Sequence, residues 1–328
     1  MKLNRTGFIL RITAYVCVAL FTVCVLIYGF KTDFGFEDLA KESEENTFDV
    51  MYTYEEEVKY LREVEVDWVN GPVTMHPYAG EIIKVTEASG EVLQEDEKLY
   101  LEISGGTLSV RWNNAWLQLG LQRQHAKQLE ILIPQNFYDT LEEVRVKTVS
   151  GNIEMEALAL REAEFISSSG ELHLKDITAE RLTAETVSGN LVFQNIAGTE
   201  EMAVSTNSGN ITLAGTATGA AELSTTSGAV TLSGDVQTLM CDTVSGDVQM
   251  DLTKWPEKIT LHSVSANADI LVPATEDGFL CRFTSVSGEF LSDFSMKKTG
   301  DTYTCGKGTY SVRIDTTSGD VSLNQKVG

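Results

Sequence analysis

Asp242 and His262 occupy equivalent positions, each three residues before the Ser of a Ser-Gly or Ser-Ala dipeptide. If that dipeptide marks a repeat, an acid lies directly below an imidazole, about 5 Å away on the neighbouring strand. Such a pair can move a proton. Register brings it no nucleophile and no third group, so a surface ion pair is the favoured reading. The residue just after each dipeptide gives a second column: Asn152, Glu171, Asn190, Asn210, Ala229, Asp247, Asn267, Glu289 and Asp320. Glycoside hydrolysis needs two carboxyls about 5 to 9 Å apart. Here acids mostly alternate with neutral residues, which relieves like-charge repulsion and reads as a solvated turn edge. A weak cation site near Asp247 and Glu289 is the one metal chemistry the column offers, without the repeated Gly-Gly-x-Gly-x-Asp rows of calcium-binding solenoids.

The remaining reactive residues are dispersed. His76, His125 and His173 lack the Cys or carboxylate spacing of a zinc site. Cys241 and Cys281 fall at inward apolar positions two rungs, or about 10 Å, apart, beyond the roughly 7 Å between α-carbons that a disulfide spans. Both read as small core hydrophobes. The pairing of Cys305, near a closing turn, stays open, and with Cys17 and Cys24 in the apolar N-terminus the five make no disulfide framework. There is no Walker loop, dinucleotide fingerprint or Gly-x-Ser-x-Gly elbow. The expectation is a non-catalytic protein that needs no cofactor and no metal.

Acids outnumber bases 48 to 25 in the 328 residues, and the first thirty hold Lys2, Arg5 and Arg11 with no acid, so residues 31 to 328 carry 22 minus 48, or −26. A body of that sign is repelled by phosphate backbones, which disfavours a nucleic-acid partner. What positions the columns is a repeat. The motif [Ser/Thr]-x-Ser-Gly recurs at Ser150-Gly151, Ser169-Gly170, Ser188-Gly189, Ser208-Gly209, Ser227-Gly228, Ser245-Gly246, Ser287-Gly288 and Ser318-Gly319, with the variant Ser265-Ala266. Successive steps are 19, 19, 20, 19, 18, 20, 22 and 31 residues.

Apolar residues alternate on both sides of each motif, as in Val144/Val146 before and Ile153/Met155 after, or Leu182/Ala184 and Leu191/Phe193. Period two on both sides of a turn means two short strands per repeat, each with one face inward. Units this short cannot bury that face alone and must stack. The expected fold is therefore all-β, a single-domain β-solenoid with rungs of roughly 19 to 20 residues. The hydroxyl two before each motif Ser (Thr148, Ser167, Thr186, Thr206, Thr225, Thr243, Ser263, Ser285, Thr316) faces inward by parity. A buried hydroxyl needs a partner, in the next hydroxyl or in the corner backbone. The motif Gly allows a tight corner or positive φ. In the second case Ala266 should be strained by about 1 to 2 kcal/mol.

Ahead of the solenoid, residues 12–30 carry no charge and no proline. Nineteen residues at about 1.5 Å each reach roughly 28 Å, enough for one transmembrane helix. Lys2, Arg5 and Arg11 precede it and acids follow, which places 1–11 in the cytoplasm and the rest outside. A cleaved secretory signal ending at Ile27-Tyr28-Gly29 is the alternative. Residues 31–57 are acid-rich without a sustained apolar period and read as a solvated spacer, leaving 58–328 as the solenoid.

The stretch from Val64 to Glu87 repeats the strand, turn and strand logic around Gly71-Pro72, as first rungs would. Between these and the clear repeats, alternation broken at Asn113-Asn114 suggests a hairpin closing the open end, and Thr299 to Tyr310 suggests another through Gly306-Lys307-Gly308. Trp112, Trp116, Leu117, Leu119 and Leu121 form the best candidate contact patch, with end-cap core as the favoured reading.

The WVNGPVTMHPYAG opening, the LEILIPQ step at 129–135, the KTVSGNI onset, the repeated T-x-S-G turns and the closing GKGTYSVRIDTTSGDVSL together resemble the bacterial membrane-anchored β-strand-repeat proteins known as "putative adhesins", a domain of unknown function. The resemblance covers residues 58 to 328. It implies an extracytoplasmic solenoid on one membrane helix, with partners in the cell envelope: a protein or a wall polymer. Three functions are weighed on it: an adhesin-like contact module, a regulatory partner in an envelope-stress response, and a polysaccharide-acting β-helix enzyme, the least favoured. Ala266 and the long last repeat depart from the commonest pattern.

Overall fold

The computed structural model describes residues 48–113 and 126–326. The expected span at 12–30, residues 31–47 of the acidic segment, and Trp116, Leu117, Leu119 and Leu121 lie outside them. Among the described residues no helix is long and apolar enough to cross a membrane. From Phe48 onward the chain forms one compact unit.

Its strands in chain order are β1 (Val50–Glu56), β2 (Glu63–Asp67), β3 (Val73–Tyr78), β4 (Ile83–Ser89), β5 (Tyr100–Ser104), β6 (Thr107–Arg111) and β7 (Lys127–Pro134). A single helical turn, α1 (Gln135–Tyr138), leads into the repeats. These are β8 (Glu143–Thr148), β9 (Ile153–Glu156), β10 (Ala159–Ser167), β11 (Leu172–Lys175), β12 (Thr178–Thr186), β13 (Leu191–Gln194), β14 (Thr199–Thr206), β15 (Ile211–Thr225), β16 (Val230–Thr243), β17 (Val248–Leu252), β18 (Lys258–His262) and β19 (Ala268–Val272). The C-terminal end is built from β20 (Phe279–Thr284), β21 (Phe290–Leu291), β22 (Lys297–Thr299), β23 (Thr302–Thr304), β24 (Tyr310–Asp315) and β25 (Val321–Gln325).

Parallel pairing stacks these into two long faces. The first runs β6, β2, β8, β10, β12, β14, β15, β16, β18, β24, β20. The second runs β7, β3, β9, β11, β13, β15, β16, β17, β19, β25, β21. Each Ser-Gly corner joins a strand of the first face to one of the second. Both apolar pairs predicted per repeat point to the axis: Val146, Phe165, Ala184, Val204, Leu223, Cys241, Leu261 and Ile314 form one buried column, and Ile153, Leu172, Leu191, Ile211, Val230 and Val248 another.

The stacking order departs from chain order at both ends. The rung β2/β3 lies between β6/β7 and β8/β9, and β24/β25 lies between β18/β19 and β20/β21. The corners at 265, 287 and 318 therefore stack as 265, 318, 287. Inserting the last segment gives it a partner on either side instead of leaving a terminal strand to fray. Cys241 and Cys281 are consequently three strand steps apart, not two, since Cys241 opposes Leu261, Leu261 opposes Ile314, and Cys281 opposes Val312.

Two further expectations are corrected, and a third falls partly outside the described residues. β5 pairs antiparallel with β6 through a hairpin at Gly105-Gly106, where both φ are positive, whereas Asn114 of the turn expected at Asn113-Asn114 is not among the described residues. The C-terminal hairpin joins β22 and β23 through Gly300, while Gly306-Lys307-Gly308 carries the chain across β20, which pairs with β23 on one edge and β24 on the other. The segment read as spacer contains β1, antiparallel to β4. Its acids obscured a period-two pattern in which Val50, Tyr52 and Tyr54 are shielded while Met51, Thr53 and Glu55 are exposed. The solenoid unit therefore begins before residue 58.

Candidate functional site

The motif corners are built by a division of labour. The inward hydroxyl accepts the backbone N–H of the motif Gly three residues on, as Thr148 Oγ1 does from Gly151 at 3.1 Å and Thr206 Oγ1 from Gly209 at 3.0 Å. It also donates to the Gly carbonyl of the preceding rung, Thr206 to Gly189 at 3.2 Å and Thr225 to Gly209 at 3.3 Å. The exposed motif Ser donates to the carbonyl one rung back, Ser169 to Val149 at 3.3 Å and Ser208 to Val187 at 3.4 Å. Corner backbone, rather than the next hydroxyl, is thus the usual partner. Ser263 departs from this by donating to Thr316 Oγ1 at 2.8 Å.

The motif Gly serves close approach. Gly151, Gly170, Gly189, Gly209, Gly228, Gly246 and Gly288 do not have positive φ. A Cβ on Gly189 would instead meet the Gly170 carbonyl oxygen at 1.9 Å, and one on Gly228 the Gly209 oxygen at 1.7 Å. Ala266 therefore carries none of the left-handed strain expected for it; it is buried with negative φ. Positive φ occurs at a second corner, seven residues after the motif Ser: Ala157 (57°), Asp176 (54°), Asn195 (55°) and Gly215 (68°). Asp, Asn and Gly in that column were a legible signal, since these residues tolerate the left-handed region.

The column after the Gly is a ladder. Asn152 Oδ1 accepts the Glu171 N–H at 3.0 Å, Asn190 that of Asn210 at 2.9 Å, Asn210 that of Ala229 at 2.9 Å, and Asp247 that of Asn267 at 3.1 Å. It continues in stacking order through Asn267 to Asp320 at 3.0 Å and Asp320 to Glu289 at 2.9 Å. Two rungs, at 267 and 320, separate Asp247 from Glu289, so the cation site weighed for that pair has no geometry. Glu171 departs from the ladder. His173 at 3.1 Å and Asn190 at 2.8 Å hold its carboxyl below the usual range.

Asp242 and His262 do pair, Oδ1 to Nδ1 at 2.8 Å, and the inserted rung supplies the third group that chain order hid: Asp315 Oδ2 lies 3.5 Å from His262 Nε2 and accepts from Arg313 Nε at 2.7 Å. Each ring nitrogen faces a carboxylate. That arrangement holds the imidazole between two rungs and leaves neither nitrogen directed at a substrate.

At the N-terminal cap Trp112 is 5% exposed and meets Trp68 edge-on at 4.8 Å. Lys127 Nζ sits 3.9 Å from the Trp112 ring centroid, bonds Glu87 Oε1 at 2.5 Å and donates to the Glu97 carbonyl at 2.7 Å. Both ion-pair partners are buried, and desolvation lowers the Lys127 pKa. Glu87 also accepts the Leu99 N–H at 3.0 Å, and Trp68 Nε1 donates to the Lys127 carbonyl at 3.0 Å. Trp112 is therefore cap core rather than contact surface. A groove of about 310 Å³ on the second face is lined by His76, Glu154, Glu156, His173, Lys175 and Gln194. Within it His76 Nδ1 lies 3.4 Å from Glu156. Among the described residues no three His, Cys, Asp or Glu converge as a metal site.

Stacked parallel rungs with polar corners and capped ends define an all-β solenoid held together by its repeat. The chain belongs to the Toastrack DUF4097 family, a bacterial domain of unknown function, whose profile matches residues 61–324. Solved structures with which it shares its fold include a putative adhesin from Parabacteroides distasonis, 12% identical over 84% of this chain and 97% of that one, TM-score 0.50. A putative lipid binding protein from the same species is 13% identical over 85% and 98%, TM-score 0.50. A putative adhesin from Parabacteroides merdae is 13% identical over 85% and 97%, TM-score 0.47. No curated protein matches the chain.

Proposed function

We propose that this chain is a non-catalytic contact module of the bacterial cell envelope, held by the span at 12–30 with its N-terminus in the cytoplasm and its acidic solenoid outside. One observation carries the reading: the residues that repeat are consumed by the fold. Thr, Ser and Gly of the corners, and the Asn and Asp after them, supply bonds within and between rungs. The outward columns take no part in those bonds and are free to differ from rung to rung, as a recognition surface requires. The uncharged span and the Lys/Arg bias before it support the placement.

The test is photo-crosslinking in cells from outward positions on both faces, such as Thr183, Val192 and Thr231. Capture of wall polymer supports adhesion, and capture of one membrane protein supports a regulatory contact. Capture of nothing from either face removes the contact role. Turnover of uronate or cell-wall glycans by the purified chain, abolished by Asp242→Asn or His262→Ala, would overturn the non-catalytic reading.

A further inference from the structure

The outer side of the first face arranges its charges differently at its two ends. Near the N-terminal cap it presents Glu63, Glu65, Glu162 and Glu164 around the buried Glu143, with Arg145, Lys147, Arg161 and Arg181 distributed among them as ion pairs. At the other end it presents cations in line. The strands there run β18, β24, β20, β23, β22, and their register sets Lys258, Ser311, Leu280, Thr304 and Lys297 in one outward column, and Thr260, Arg313, Arg282, Thr302 and Thr299 in the next.

These cations are not neutralised as the others are. Among the described residues, the bases with no carboxylate in ion-pair range are Lys59, Lys258, Arg282, Lys297 and Lys298. Four of the five lie at this end, three of them on the outer side; Lys298 packs on the Tyr303 ring instead. In a chain with 48 acids and 25 bases, unpaired cations gathered in one place are the anomaly. Arg282 and Arg313 are direct cross-strand partners, an arrangement of like charges that is unfavourable unless an anion lies between them. Arg313 reaches Asp315, and Arg282 has no such relief.

We infer that this end of the first face binds a repeating anionic, hydroxyl-bearing polymer of the cell surface, through Lys258, Arg313, Arg282 and Lys297. Strand spacing distributes the four along about 19 Å of the solenoid axis, a line that suits an extended chain bearing a charge every few ångströms. Ser311, Thr299, Thr302 and Thr304, between and beside them, offer hydroxyls matched to those of a polyol or sugar. The carboxylates in the adjoining outward column, Asp242 and Asp315, are engaged by His262 and Arg313, and the glutamates near the N-terminal cap lie several rungs away, beyond the roughly 8 Å over which charges act at physiological salt.

This rests on the contact role proposed above and names its ligand class. The experiment uses the full-length chain in neutral detergent, immobilised and exposed to poly(glycerol phosphate) at about 50 mM salt, where counterion release favours binding. Arg282→Gln with Lys297→Gln is expected to weaken binding on the order of tenfold, with a shallower salt dependence. Lys59→Gln, which removes an unpaired base elsewhere, is expected to change nothing, and Arg282→Lys to retain most of the affinity. Absence of binding, equal losses in the Lys59 and paired variants, equal binding to uncharged dextran, or equal binding to polyglutamate of the same length would each overturn the inference. Polymer binding lost while in-cell crosslinks persist removes this patch and keeps the contact role; crosslinks lost while polymer binding persists does the reverse.

Discussion

At every motif corner except Gly319, whose φ is 143°, the glycine is required for space and not for dihedral freedom, and the two causes predict different mutants. In Gly209→Ala the new methyl would sit 1.8 Å from the Gly189 carbonyl oxygen, so backbone on two rungs must separate. We expect a loss of about 2 to 4 kcal/mol, the range of overpacked cores and broken networks. Gly105→Ala meets nothing within 4 Å but has φ of 64°, so only the left-handed penalty of about 1 kcal/mol is expected. Chemical denaturation of the two variants compares them directly, and equal losses would contradict the packing account.

Titration separates buried groups from surface ones. Burial pushes the Cys241 and Cys281 thiols up to about 12, so both should stay protected from alkylation at mildly basic pH while half-buried Cys305 reacts first; mass mapping after a timed pulse gives the order. Glu171 is held below its ordinary value by His173 and Asn190. Its contribution to stability is present above the ordinary carboxylate range and is lost as pH falls through the depressed value. His173→Ala should raise the Glu171 pKa toward normal in an NMR titration, with a small effect on stability because the pair is solvent-exposed.

At the scale of elements, the N-terminal cap depends on one buried ion pair that ties β4, β7 and the 94–99 loop to two tryptophans. Lys127→Met leaves Glu87 charged and unpaired in the interior, at a cost of about 3 to 5 kcal/mol. Adding Glu87→Gln should recover most of that loss. Thermal unfolding of the two variants tests it, and a double variant as unstable as the single would mean that Lys127 contributes by packing on the rings. The second corner gives a milder contrast: Asn195 has φ of 55°, so Asn195→Gly should be tolerated and Asn195→Val should cost about 1 to 2 kcal/mol.

For the whole molecule, the inserted rungs make stability non-local. Ending the chain after Lys307 removes β24 and β25, which separate β18/β19 from β20/β21. β20 and β21 then lose their parallel partners although they precede the cut, and β20 is left with β23 alone. Hydrogen exchange should show protection lost from 279–304 and kept across 143–252. Protection retained at 279–304 would mean that the terminal rung can dock directly on β18/β19.

The sequence was sufficient wherever a pattern was local and repeated. Alternation around each Ser-Gly gave the strands, their inward faces and the corners, because burial on one side of a pleat imposes period two regardless of what stacks above. It was insufficient wherever the outcome depended on which rung follows which. Asp315 joins His262, and the Asn267 ladder continues to Asp320, only because a segment some fifty residues on is inserted beside β18. Likewise the sequence favours end-cap core for Trp112, but not the partners that make it so, Lys127 on β7 and Trp68 just after β2. Residue spacing encodes the geometry within a coil; the order of coils is a competition among non-local contacts, settled by which arrangement best covers the ends, and no single repeat carries that information.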